Sequence, residues 1–207
     1  MQQSTSQTVF KSISVLFHPL IYPTAAAILL FFTDSYFSLF EPKAKIFIIA
    51  VVFALTYLAP AFAVYLLYLF RSIDSVTLEN RSQRILPLLF TSLVYYSAYY
   101  MLKQYQALFF FNIFILASTV SAILAVFIST RWKISLHTIG IGGFLAMLLQ
   151  QSAIYGTDNF FIFSLVLLLS GVLGTARLSL KSHAPAEVYG GFVVGFASVF
   201  AVYTIVF

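Results

Sequence analysis

The chain of 207 residues is 61% hydrophobic and 18% aromatic but only 8% charged, and its mean hydropathy is +0.99. A soluble domain carries about a quarter charged residues, so this composition excludes an ordinary globular protein, a disordered chain and a nucleic-acid binder. Eleven basic against six acidic residues leave a net charge of +5, which in a membrane protein suits loops facing anionic headgroups; the absence of cysteine removes disulfides, thiolate metal sites and cysteine nucleophiles together.

Long unbroken apolar runs, such as 46–70, point to helices rather than to the alternating strands of an outer-membrane barrel. The expectation is an all-α integral membrane protein, a bundle of six to seven transmembrane helices with no room for a soluble domain. Seven segments carry it in chain order, at about 13–33, 46–70, 85–102, 107–129, 134–155, 160–176 and 186–207. The first holds Pro19 and Pro23, and this, with its length and the lack of a small-residue cleavage site, argues against a removable signal peptide. Pro60 interrupts the second, and such kinks stand where neighbouring helices satisfy the freed carbonyls. The third carries Tyr95, Tyr96, Tyr99 and Tyr100 in mid-span, read as lining a polar interior or bonding across helices. The third and sixth are short. Gly171 and Gly174, with Gly191-x-x-x-Gly195, permit close helix contact, read as simple packing. No repeat and no linker interrupt the chain, so residues 1–207 are read as a single transmembrane domain.

Burying an ion in hydrocarbon is costly, so charges mark loops and span edges. Eight of the 11 basic residues fall at the N-terminus and in the second, fourth and sixth loops: Lys11, Arg71, Arg81, Arg84, Arg131, Lys133, Arg177 and Lys181. Lys43, Lys45 and Lys103 take the other face. The positive-inside rule would place the first group in the cytoplasm. If Arg81, Arg84, Lys133 and Arg177 bind an anionic ligand, however, four cations face three and the orientation stays open.

Two spans separate each of those loops from the next, so all three are expected on one side. There they gather cations, two of the three histidines and a carboxylate, a set suited to a phosphate ester. Cations neutralise nonbridging oxygens, one imidazole attacks and another protonates the leaving oxygen. Pro185 suits the first turn of the last helix, which puts His183 at that helix's N-terminus, with free amides and the positive dipole end toward a phosphoryl group. Glu187, four residues on, is placed to hold one imidazole nitrogen and leave the other as a nucleophile.

Arg177-x5-His183-x3-Glu187 resembles the third signature of the type 2 phosphatidic acid phosphatase superfamily, Ser-Arg-x5-His-x3-Asp. Ser135-Leu136-His137 resembles its second, Pro-Ser-Gly-His, and Arg84 before Ile85-Leu86-Pro87 resembles the end of its first, Lys-x6-Arg-Pro. The runs Glu79-Asn80-Arg81, Lys133-Ile134-Ser135 and Ala176-Arg177-Leu178 resemble a divergent bacterial branch. The resemblance implies a membrane lipid phosphatase that hydrolyses a phosphomonoester or diphosphate of a lipid through a phosphohistidine. His183 would be the nucleophile, His137 the general acid and Glu187 the orienting carboxylate. Arg177, Arg84, Arg81, Lys133 and Ser135 would bind phosphate, with no metal and no cofactor. A lipid phosphate is the implied substrate and the bacterial inner membrane the implied location, while oligomeric state is open.

The chain departs from those signatures. Thr77 stands where the first lysine belongs, Ile134 replaces proline, Leu136 glycine, Ala176 serine and Glu187 aspartate, and two spans part the first and second signatures. These losses motivate a second reading, a catalytically degenerate protein that binds anionic headgroups or a partner through the inherited pocket. Asp74 and Glu79 ahead of Arg84 raise a third, an intramembrane prenyltransferase, but Asp158 alone does not make the second Asp-rich loop it needs. A small transporter would need more charges inside the spans. His18, beside Pro19 within the first span, is a functional candidate by position, and the reading preferred for it is a neutral ring bonded to a neighbouring helix.

Overall fold

The computed structural model describes residues 5–33, 37, 40–78 and 80–207; Glu79 lies outside them. Among the described residues the fold is all helical. Seven helices are long and apolar enough to cross a membrane: Ser6–Thr33, Pro42–Leu69, Ser82–Leu102, Gln106–Ser129, Leu136–Tyr155, Phe160–Ser179 and Pro185–Val206. Each overlaps one segment expected from sequence. The third and sixth reach 21 and 20 residues, about 30 Å at 1.5 Å per residue, enough for a full span. The chain is an integral membrane helical protein.

The first span is two helices, α1 (Thr5–Leu16) and α2 (Tyr22–Thr33), parted by a 3₁₀ turn at Pro19–Ile21. The second is α3 (Pro42–Phe53) and α4 (Ala59–Leu69), parted by a π-helical turn at Ala54–Leu58. The rest are α5 (Ile85–Leu102), α6 (Phe109–Ser129), α7 (Leu136–Tyr155), α8 (Phe160–Ser179) and α9 (Pro185–Val206). The chain forms two compact units, Leu20–Thr130 on one hand and Met1–Pro19 with Arg131–Phe207 on the other.

In the Leu20–Thr130 unit, α5 packs along α6, α4 lies on α5, and α2 touches α3 and α6. Pro60 has no N–H to give the Thr56 carbonyl, its partner four residues back, and the helix widens into the π turn just ahead of it. The Tyr95 hydroxyl donates to that Thr56 carbonyl at 3.2 Å. One mid-span tyrosine therefore bonds across helices, as expected. Lys45, read as a span-edge cation, is buried in the first turn of α3, where its ammonium donates to the Phe31 carbonyl at 3.0 Å. It also lies 5.6 Å from the centre of the Phe32 ring. A cation at the last turn of α2 complements that helix's dipole, which makes the burial tolerable.

In the unit of Met1–Pro19 and Arg131–Phe207, the closest pair is α7 and α9. A Cβ at Gly195 would collide with the Ile139 carbonyl, one at Gly191 with the Thr138 hydroxyl and the Ser135 carbonyl, and one at Gly142 with the Phe192 carbonyl. Backbone thus rests on backbone, which only small residues allow. Gly174 of α8 faces Val188, whereas a Cβ at Gly171 would meet nothing within 4 Å among the described residues. The glycines bring the starts of α7 and α9 side by side, and the candidate site lies there.

Candidate functional site

Helix α8 ends in a Schellman motif. The Ser182 amide donates to the Arg177 carbonyl at 3.2 Å and the Lys181 amide to the Leu178 carbonyl at 2.9 Å, with Lys181 itself left-handed at φ 53°. This cap folds the chain back within a few residues and sets His183 just beyond Arg177's turn. Pro185 then opens α9, as its fixed φ and missing N–H favour. His183 is buried, and its Nδ1 donates to Glu187 Oε2 at 2.8 Å. A carboxylate only accepts, so in the neutral ring the proton sits on Nδ1 and Nε2 carries the lone pair. Glu187 Oε2 also accepts the Ala184 amide at 3.1 Å. The carboxylate therefore caps α9 at Ala184, and of the first-turn amides expected to face phosphate, that of Ala186 has no acceptor among the described residues.

A more open helix end belongs to α7. Ser135 caps α7 by position yet makes no side-chain cap bond. The first-turn amides of Leu136, His137 and Thr138 have no acceptor among the described residues. Ser135 is fully buried, and its hydroxyl likewise has no partner among them. Leaving a buried hydroxyl unpaired costs about 1–3 kcal/mol, a cost that a bound anion would remove. The Ser135 amide donates to the Glu187 carbonyl at 3.1 Å, so main chain ties the start of α7 to the first turn of α9.

His137, in that first turn, places Nε2 3.0 Å from the Ser14 carbonyl of α1. A carbonyl cannot donate, so Nε2 carries the proton and Nδ1 is the accepting nitrogen of the neutral ring. The His18 ring stands edge-on to the His137 ring, centroids 5.7 Å apart and planes at 80°. Arg177 is close enough to act electrostatically on both His18 and His137, and His183 on His137. One unit thus holds all three histidines of the chain with Arg177 and Glu187.

The remaining expected phosphate ligands divide between the two units. Lys133 is half-buried in the loop two residues before Ser135. Arg81 and Arg84 belong to the Leu20–Thr130 unit. Arg81 is exposed, and Arg84, 4% exposed, donates its Nε to the Leu78 carbonyl at 2.7 Å. Sequence reasoning missed two partners of His137, the Ser14 carbonyl and the His18 ring. Their one signal was the pair His18-Pro19, an ionisable residue beside a helix breaker inside a span.

Comparison of the chain with models of known families, with curated proteins and with solved structures finds no match.

Proposed function

We propose that the protein is a lipid phosphatase of the type 2 phosphatidic acid phosphatase kind, set in a bacterial inner membrane. The observation that carries this reading is the buried His183–Glu187 pair at 2.8 Å, in the same unit as Arg177, His137 and the open first turn of α7. The lone pair of His183 Nε2 attacks phosphorus; the N–P bond forms as the ester O–P bond breaks, and His137, which takes up a second proton from solvent on Nδ1 as the anionic substrate binds, gives that proton to the leaving alkoxide. Neutral His137 then takes a proton from water, whose oxygen displaces His183 and releases inorganic phosphate. Glu187 stabilises the charge that His183 gains during attack. Arg177, the Ser135 hydroxyl and the amides of α7 hold the phosphoryl oxygens, with Lys133 of the same unit as a further cation. Neither step calls for a metal. The lipid tail stays in the bilayer while its headgroup enters.

The test is phosphate release by the purified chain in lipid nanodiscs from phosphatidic acid, phosphatidylglycerophosphate and a polyprenyl diphosphate. His183→Ala is expected to lower turnover roughly a thousandfold or more, as loss of a nucleophile does. Undiminished release from that variant overturns the reading. Binding of these lipids with no turnover across the panel favours instead the non-catalytic headgroup binder, which the loss of the signature glycine at Leu136 motivates.

A further inference from the structure

His137 is held by a backbone atom that an unbroken helix would not offer. In an α-helix the Ser14 carbonyl accepts the amide of His18, four residues on. Here the His18 amide goes instead to the Val15 carbonyl at 3.3 Å, and the 3₁₀ turn starts at Pro19. Pro19 causes this. Its ring collides with the carbonyl four residues back, which is Val15, and it drives the preceding residue, His18, out of the helical region. The freed Ser14 carbonyl meets His137 Nε2 at 3.0 Å, and the His18 ring, swung out by the same break, stands edge-on to His137.

We propose that the Ser14–Pro19 break is the positioning element of His137: it pins the proton on Nε2, and His137 therefore works through Nδ1. His18 and Ser14 act through His137 and touch no substrate. A carbonyl and an aromatic edge fix the His137 ring as the Glu187 carboxylate fixes His183, and the nitrogen fixed is of opposite kind in the two rings, Nε2 in His137 and Nδ1 in His183. Because Nε2 stays bonded to Ser14 throughout, the proton given to the alkoxide leaves from Nδ1, and the proton taken from water returns there. This use of Nδ1 rests on the phosphatase reading, whereas the tautomer does not.

The chain has three histidines, so a ¹⁵N-histidine-labelled sample of the whole protein in lipid nanodiscs gives a spectrum assignable with His18→Gln, His137→Gln and His183→Gln. At about pH 8, where an ordinary histidine is neutral, His137 is expected to show a protonated Nε2 and a bare Nδ1. Pro19→Ala lets the His18 amide return to the Ser14 carbonyl, so the His137 proton redistributes toward Nδ1 while the His183 signals stay in place. With phosphatidic acid as substrate, the same variant is expected to lose about 10- to 100-fold in kcat with KM little changed. A wild-type His137 protonated on Nδ1 overturns the proposal, as does a His137 spectrum unmoved by Pro19→Ala. The wild-type spectrum decides even if the variant folds poorly. Absence of turnover in the wild type, with the Nε2–H tautomer and its shift both seen, sinks the phosphatase reading and leaves the positioning role standing.

Discussion

Pro60 and Pro19 each break a spanning helix, one in each compact unit, and beside each break a carbonyl accepts from a ring far along the chain. At Pro60 the donor to Thr56 is the Tyr95 hydroxyl; at Pro19 the donor to Ser14 is His137 Nε2. The geometry is alike and the chemistry is not. A phenol has one polar atom, and once it donates, the side chain's work is done. An imidazole has two, and fixing one defines what the other can do. A repair made with tyrosine is architecture, whereas the same repair made with histidine leaves a second nitrogen on a ring within electrostatic reach of Arg177 and His183.

The contrast breaks most sharply if the donors prove equivalent. His137→Gln is expected to cut turnover about 10²- to 10⁴-fold, the usual worth of a general acid, while thermal stability falls little; Tyr95→Phe should leave phosphate release unchanged. Equal activity losses in both variants would dissolve the distinction. The next effect tests the scaffold of the histidine side. Gly195→Ala drives a methyl into the Ile139 carbonyl and should destabilise by about 1–3 kcal/mol in a thermal or denaturant melt, with activity lost as α7 and α9 part. Gly171→Ala, in open space, should be neutral or gain about 0.5–1 kcal/mol from helix propensity. On the tyrosine side, Tyr95→Phe is expected to cost only about 0.5–1 kcal/mol in the same melt, the ordinary worth of one interhelical bond. Smallest is Lys181→Gly, which relieves a left-handed lysine at the α8 cap and should raise stability by about 0.5 kcal/mol without altering turnover.

The spans were legible because hydrocarbon demands about 20 apolar residues and expels charge, a constraint strong enough to survive errors at the boundaries. Pairing of His183 with Glu187 was legible for a local reason, since four residues across a helix start is a distance that sequence spacing sets. Contacts set by helix rotation were not. Nothing in the string shows that His137 turns toward Ser14, that Tyr95 rather than Tyr96 faces Thr56, or that a Cβ at Gly174 would meet Val188 and one at Gly171 open space. Nor did it show that Glu187, placed to serve His183, would also accept the Ala184 amide, or that three open amides would stand at α7. Lys45 stands at the span edge as read, but its burial was not legible because the helix starts at Pro42, earlier than the apolar run.

The bond from the Ser135 amide to the Glu187 carbonyl has an evolutionary side. It is made of main chain alone, so it does not depend on which side chains stand at either position, provided neither is a proline where an N–H is needed. Substitution can thus erase the lettering around residues 134–136 and 186–188 without unfastening the start of α7 from α9. Surfaces joined in this way are free to drift in sequence while keeping their shape. A search for distant kin of this chain would do better to look for that clasp, two helix starts joined by one peptide bond's amide to another's carbonyl, than for the residues that decorate it.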